Sequence, residues 1–204
     1  MSGFTYETQN TKTQFETYEW DSTWLDHIDD ENVTRVLYIG DSISCGIRTI
    51  ATKLAKNEIL FDGFGTSKSL DNPWFKDSIK LFAEQQGKRS AVLFNNGLHG
   101  WHLDDETEYR AHFEDMIEFL ISHLKDTPIF IVLTTYINDG ERLDRVIARN
   151  KAACDIAEKY DLPVIDLFSV SRDNASLLED DGVHFMDEGY KILAERILSS
   201  LEIL

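Results

Sequence analysis

Cysteine, proline and glycine are all scarce, at two, three and eleven residues in a chain of 204. Each scarcity removes a class of protein. Cys45 and Cys154 cannot build a disulfide framework and are too few for a four-cysteine zinc site. So few prolines and glycines leave no stretch that reads as an interdomain linker. Basic residues number 20 against 37 acidic ones, a formal net charge of −17. Such a surface repels phosphate backbones and anionic headgroups, so neither nucleic acid nor membrane is an expected partner. The longest strongly apolar run, about Ile129 to Leu133, is far short of a membrane span. The first ten residues lack a basic stretch followed by an apolar one, so no secretion signal is read and a soluble, cytoplasmic protein is the expectation.

What is present suggests one globular domain. Apolar residues make up 42% and aromatic residues 11% of the chain, enough for a core. Residues 1–33 are polar and read as an N-terminal extension, with Trp20 and Trp24 expected to pack it onto the body; a flap over a substrate is the other reading. From residue 34 onward, short apolar runs alternate with helical patterns. Strands are expected at Arg35–Ile39, Glu58–Phe61, Ser90–Phe94, Ile129–Leu133 and Pro163–Leu167. Helices are expected from Ile43 to Lys56, from Pro73 to Gln86, along Tyr109–Leu124 and along Leu143–Ala157. Asp187 is the expected cap of a last helix carrying Tyr190, Leu193, Ala194 and Ile197. This alternation predicts right-handed crossovers and a parallel sheet with helices on both faces. Ligands of such sheets sit beyond the C-terminal strand ends, so the residues just after each strand carry the interest.

Gly40-Asp41-Ser42 follows the first expected strand and opens a helix, where a hydroxyl faces the crevice and the helix dipole favours developing negative charge. The segment from Gly40 to Gly46 is neither a phosphate loop nor a dinucleotide fingerprint, and Ser44 breaks a Gly-x-Ser-x-Gly elbow. Asp181-Gly-Val-His184 precedes the last helix. A carboxylate and an imidazole three residues apart can fold back on each other, which leaves Nε2 free to take a proton from a serine. Alone, the first motif also fits a plain helix cap and the second an acidic surface loop.

Together and in this order the two motifs resemble the SGNH, or GDSL, hydrolase superfamily, from about Arg35 to the C-terminus. Asp181–Tyr190 looks like the family's last block, and Asn150–Ala157 with Leu162–Leu167 looks like its penultimate helix and strand. The resemblance implies a three-layer α/β/α, flavodoxin-like fold on a five-stranded parallel sheet, with residues 34–204 as the hydrolase domain. It also implies a serine esterase, with Ser42 as nucleophile, His184 as base then acid, and Asp181 as orienting group, and neither metal nor organic cofactor. The acetylesterase-like branch makes small acyl esters, and O-acetyl groups on carbohydrates, the expected substrates. A thioesterase or lysophospholipase of the same family, or a non-catalytic carbohydrate binder on this fold, are the alternatives.

The family's oxyanion hole uses the serine N–H, a glycine N–H after the second strand and an asparagine side chain after the third. Here Gly65 is preferred over Gly63 for the second. For the third, Asn95 is preferred, with Asn96 and His99 as alternatives, because His99 stands where the asparagine falls if Gly97 is the family's glycine. Asp41 and Trp101 are the expected substrate contacts; Trp74, Trp101 and Phe185 lie beside the site residues, where plain aromatic packing is the other reading beside stacking on a sugar ring. His99-x-x-His102 is not a complete metal-ligand set.

Overall fold

The structure is a computed structural model that describes residues 12–30 and 32–201. The first eleven residues, on which the reading of the N-terminus mostly rests, lie outside them. Six strands form one sheet in the order β1-β3-β2-β4-β5-β6. They are β1 (Asp21–Trp24), β2 (Thr34–Gly40), β3 (Ile59–Thr66), β4 (Ala91–Phe94), β5 (Ile129–Val132) and β6 (Val164–Ile165). The strands from β2 to β6 are mutually parallel, and β1 lies antiparallel on the β3 edge. The helices are α1 (Ser42–Leu54), α2 (Phe75–Gln86), α3 (Glu106–His123), α4 (Gly140–Lys159), α5 (Leu167–Asp173) and α6 (Asp187–Leu201).

Period-two alternation divides the core between the two faces of the sheet. Leu37, Ile39, Val92, Phe94, Ile129 and Ile131 pack on one side against residues of α2, α3 and the second half of α4. Val36, Tyr38, Leu93, Phe130 and Val132 pack on the other against residues of α1 and α6. Three layers therefore stand as expected. The chain leaves β2 first for β3 on one side and then for β4 on the other, so β2 is the switch point at which a crevice opens.

Four elements correct the sequence expectations. The sheet has six strands rather than five, because Asp21–Trp24 adds an edge strand from the N-terminal segment. This strand is short and polar, held by backbone pairing rather than apolar burial, so periodicity does not mark it. Trp24 is 48% exposed there, so only Trp20 of the two tryptophans packs inward. The second parallel strand runs past Phe61 to Thr66. Asp62 is fully buried in it, because Arg35 Nη1 meets both its oxygens at 3.0 and 3.1 Å. Finally, α6 begins at Asp187, which lies inside the first turn rather than capping it, and strand β6 is cut to two residues because Asp166 caps α5.

The Asp62 carboxylate gathers four elements. It accepts from Arg35 on β2, from Gln86 Nε2 of α2 at 2.8 Å and from the Asp26 N–H of the N-terminal segment at 2.9 Å. Arg35 in turn donates to the carbonyl oxygens of Asp26 and His27. Asp62→Ala strands a buried guanidinium and should cost about 3–5 kcal/mol of stability, measured as a lowered denaturant midpoint. A midpoint within error of the wild type would show that the pair is not what ties the segment down.

Candidate active site

The turn from β2 into α1 places Ser42. Asp41 caps the helix in extended conformation, and its Oδ1 accepts the Ile43 N–H at 3.0 Å. Ser44 Oγ donates back to the Asp41 carbonyl at 2.6 Å. Ser42 is thus the first helical residue, where the helix leaves its N–H without an intrahelical acceptor. Gly65 of β3 lies under this turn, for a Cβ there would sit 2.2 Å from Cys45 Sγ.

The loop before α6 places the other two groups. Gly182 adopts φ +72°, in the left-handed region, and its carbonyl accepts the Asn138 N–H at 2.8 Å. Asp181 Oδ1 accepts the N–H groups of Val183 and His184, both at 2.9 Å. Asp181 Oδ2 meets His184 Nδ1 at 2.6 Å, and His184 Nε2 lies 2.8 Å from Ser42 Oγ. Burial pushes the Asp181 carboxyl up, but the imidazole and the two backbone donors outweigh it and hold the group below the usual aspartate range. The structure therefore brings Ser42, His184 and Asp181 into one hydrogen-bonded line.

The other expected site residues fare differently. Asn95 donates its amide to the Val132 carbonyl at 2.8 Å and to Thr134 Oγ1 at 3.0 Å. Both amide hydrogens are committed to the end of β5, which removes the preferred third oxyanion donor. Asn96 gives one amide hydrogen to the Lys68 carbonyl at 2.8 Å. The bond from the Ser67 N–H to the Trp20 carbonyl sets the alternation of the β1–β3 pair. Gly65 therefore turns its own N–H toward β1 and away from β2, and serves as clearance rather than as a donor. Trp101 is 1% exposed, so it is core rather than a substrate contact. The guanidinium carbons of Arg142, Arg145 and Arg149 stand 5.4, 5.2 and 4.5 Å from its ring centre. Phe185 is buried as well, whereas Trp74 is exposed and pairs with Phe15 at 5.2 Å. Asp41 is itself buried and faces the helix start rather than a solvent-open crevice. His102 Nε2 meets Asp71 at 2.9 Å while His99 faces Glu16, so the two rings serve different carboxylates.

Sequence reasoning missed Arg149 and Asn150. Arg149 is almost fully buried in α4 and donates to the carbonyls of Gly97, His99 and Gly100 at 3.1, 2.8 and 2.9 Å. Asn150 clasps Thr134, accepting its N–H at 2.8 Å and donating to its carbonyl at 2.9 Å. Both interrupt the apolar stripe of Leu143, Val146 and Ala153. A polar pair on a core stripe was the available signal.

No protein-family model matches the chain, and no curated protein matches it. Solved structures do. An acetyl xylan esterase, AlAXEase, superposes with a TM-score of 0.65 at 16% identity, covering 82% of this chain and 99% of its own. A lipase/acylhydrolase from Enterococcus faecalis gives 0.66 at 18% identity, over 83% and 96%. The C-terminal catalytic domain of peptidoglycan O-acetyltransferase A from Streptococcus pneumoniae gives 0.63 at 18% identity, over 84% and 94%. The chain has the fold of the SGNH/GDSL hydrolases. Among the described residues no helix is long and apolar enough to cross a membrane.

Asp41 generates a stability prediction. Burial raises its pKa, and the nearby His99 and His184, with the Ile43 and Ser44 backbone bonds, only partly offset this. A carboxyl whose folded value is raised binds its proton more tightly in the folded state. Its ionised form therefore opposes folding above the raised value, and that penalty vanishes below the unfolded one. Asp41→Asn keeps an oxygen for the Ile43 N–H and removes the penalty. Its melting temperature should exceed wild type at pH 7, with the gain fading by about pH 3–4. A gain that is absent at pH 7, or unchanged across that span, would sink this account.

Proposed function

We propose that this protein is a serine esterase hydrolysing small acyl esters, with O-acetyl groups on carbohydrates as the substrate class. The observation that carries it is the unbroken line from Ser42 Oγ through the imidazole of His184 to Asp181, at 2.8 and 2.6 Å. In that geometry Nε2 takes the hydroxyl proton as Oγ attacks the carbonyl carbon. The carbonyl oxygen becomes an oxyanion beside the unsatisfied N–H of Ser42 and the positive end of α1. The protonated His184 then gives its proton to the departing alcohol. A water, deprotonated by the same nitrogen, releases the acid and restores Ser42. Asp181 keeps Nδ1–H bonded throughout.

The acetyl preference is supported by the fold neighbours named for acetyl xylan and for peptidoglycan O-acetyl transfer. The burial of Trp101 and Phe185 removes two of the rings that would favour a purely carbohydrate-binding role.

Hydrolysis of p-nitrophenyl acetate and butyrate tests the reading. Ser42→Ala and His184→Ala should each lower kcat by roughly 10⁴–10⁶, and the double variant should be no worse than either, because the groups act as a unit. Asp181→Asn should cost less. Equal trace activity in wild type and Ser42→Ala would overturn the esterase and favour a binding protein on this fold.

A further inference from the structure

The acidic excess of the chain is reversed at the end of the sheet opposite Ser42. The turns that lead into β2, β4 and β5 enclose an open groove of about 480 Å³. Lys88 and Arg89 line it from the turn between α2 and β4, and Lys125 from the turn between α3 and β5. The hydroxyl-bearing residues Thr34, Ser90 and Thr127 line it too. Among the described residues no carboxylate does, although acids outnumber bases 37 to 20 in the chain. Asp30 and Glu84 line adjoining grooves instead. Strand β2 spans seven residues between this groove and the turn that carries Ser42, about 20 Å of strand.

The fold's own ion pairs do not account for these cations. Lys88 and Lys125 are exposed and meet no acceptor among the described residues. Arg89 is half-buried. Its Nε donates to Gln86 Oε1 at 2.8 Å, and its Nη2 to the carbonyls of Ala83 and Gly87. Those bonds cap the end of α2 and complement its dipole. They leave Nη1 without an acceptor and the charge without a counterion. Arg35, Arg110, Arg145 and Arg149 each face a carboxylate, whereas Arg89 faces only neutral oxygens. Burial holds the Arg89 guanidinium below its usual value, and no neighbouring charge offsets it. Arg35 also reaches this groove, but its guanidinium is taken by Asp62.

We propose that this groove binds a small multivalent oxyanion, a phosphate ester or a polycarboxylate, through Lys88, Arg89 and Lys125. The site is independent of the esterase reading. A partly desolvated cation with no counterion is the costly half of an ion pair, and an anion from solution supplies the other half. The guanidinium suits phosphate and carboxylate oxygens, the two ammonium groups add point charges, and the hydroxyls add neutral donors. Net charge supplies the selectivity. A chain at −17 repels anions, so one that meets a single lysine gains little, while one that spans all three cations offsets the repulsion. The volume suits a small ligand. A nucleic-acid strand would extend beyond the groove onto acidic surface.

Melting of the full chain reads the binding, since a ligand of the folded state raises the midpoint. The probes are inorganic phosphate and citrate at pH 7.5, with sodium chloride holding ionic strength constant. At about 10 mM, the effective probe should raise the melting temperature by about 3–5 °C, as expected for a Kd of about 1 mM. A response to phosphate alone assigns the groove to phosphate esters, and one to citrate alone assigns it to polycarboxylates. Lys88→Gln combined with Lys125→Gln changes two exposed side chains and should weaken binding about tenfold or more. Lys151→Gln, an exposed lysine of α4, should leave it unchanged. Ser42→Ala should bind as wild type does, which separates this groove from the nucleophile. No shift beyond that of sodium chloride would overturn the proposal. So would an equal shift in the double variant and wild type, or loss of the shift in Ser42→Ala.

Discussion

Ser42 and His184 are 142 positions apart in sequence and 2.8 Å apart in space, a distance that depends on how α6 lies against α1. Gly46 makes the close approach possible, because a Cβ there would stand 2.3 Å from the Tyr190 ring. Tyr190 meets Phe185 edge-on at 5.9 Å, and Phe185 is the buried residue that follows His184. Gly189 clears the same side chain, since its Cβ would come within 2.9 Å of Phe185 Cβ. The imidazole is thus positioned from below by packing and from the side by Asp181. A misplacement of about 1 Å at such a site can cost a hundredfold in rate. The apolar contact between two helices is therefore as much a part of the chemistry as the hydrogen bonds it aligns.

The loops at that end of the sheet pose a different problem. Segment 95–100 is buried but irregular, so its carbonyl oxygens have no ladder to pair with. Arg149 answers this with a planar fork of donors, meeting three carbonyls with two nitrogens. Lysine has the charge but not the fork. Burying that charge is costly, and the Trp101 and Tyr109 faces together with Glu106 offset the cost. The result is a rigid loop that holds His99 without any regular secondary structure.

The parts that were legible in the sequence are those whose signal is local. Strands β2, β4 and β5 are short apolar runs buried on both faces, and α3 and α4 carry clear apolar stripes. The hydrogen-bonded line of Ser42, His184 and Asp181 was legible because Ser42 opens a helix directly after a strand and because Asp181 and His184 lie within one turn of each other. Strand β1 and the second half of β3 were not, because Asp21–Trp24 pairs by polar bonds rather than an apolar stripe and Asp62 is neutralised by a residue 27 positions away. The side-chain amides after β4 were opaque for a related reason. Which way an amide points depends on a competitor, and for Asn95 the competitor lies 37 and 39 positions on. Trp101 misled by adjacency: it neighbours His99 and His102 in sequence, but three arginines from α4 draw it into the core.

The N-terminal segment ties the edge of the sheet to the loops at its C-terminal end. Without β1, strand β3 would be a bare edge with unpaired backbone groups. Pairing from Asp21 to Trp24 covers that edge. The contacts do not stop where the strand does. Asp21 takes the Thr66 hydroxyl and the Lys68 ammonium, both at 2.6 Å, and Ser67 exchanges bonds with Trp20. Those residues are the turn that leaves β3 at the site end of the sheet. The Lys68 carbonyl then accepts the Asn96 amide, which links that turn to the loop carrying His99. The edge strand, the β3 turn and the β4 loop are consequently one hydrogen-bonded unit. A segment that first needs only to protect an edge is thereby tied to the two loops at the C-terminal end of the sheet.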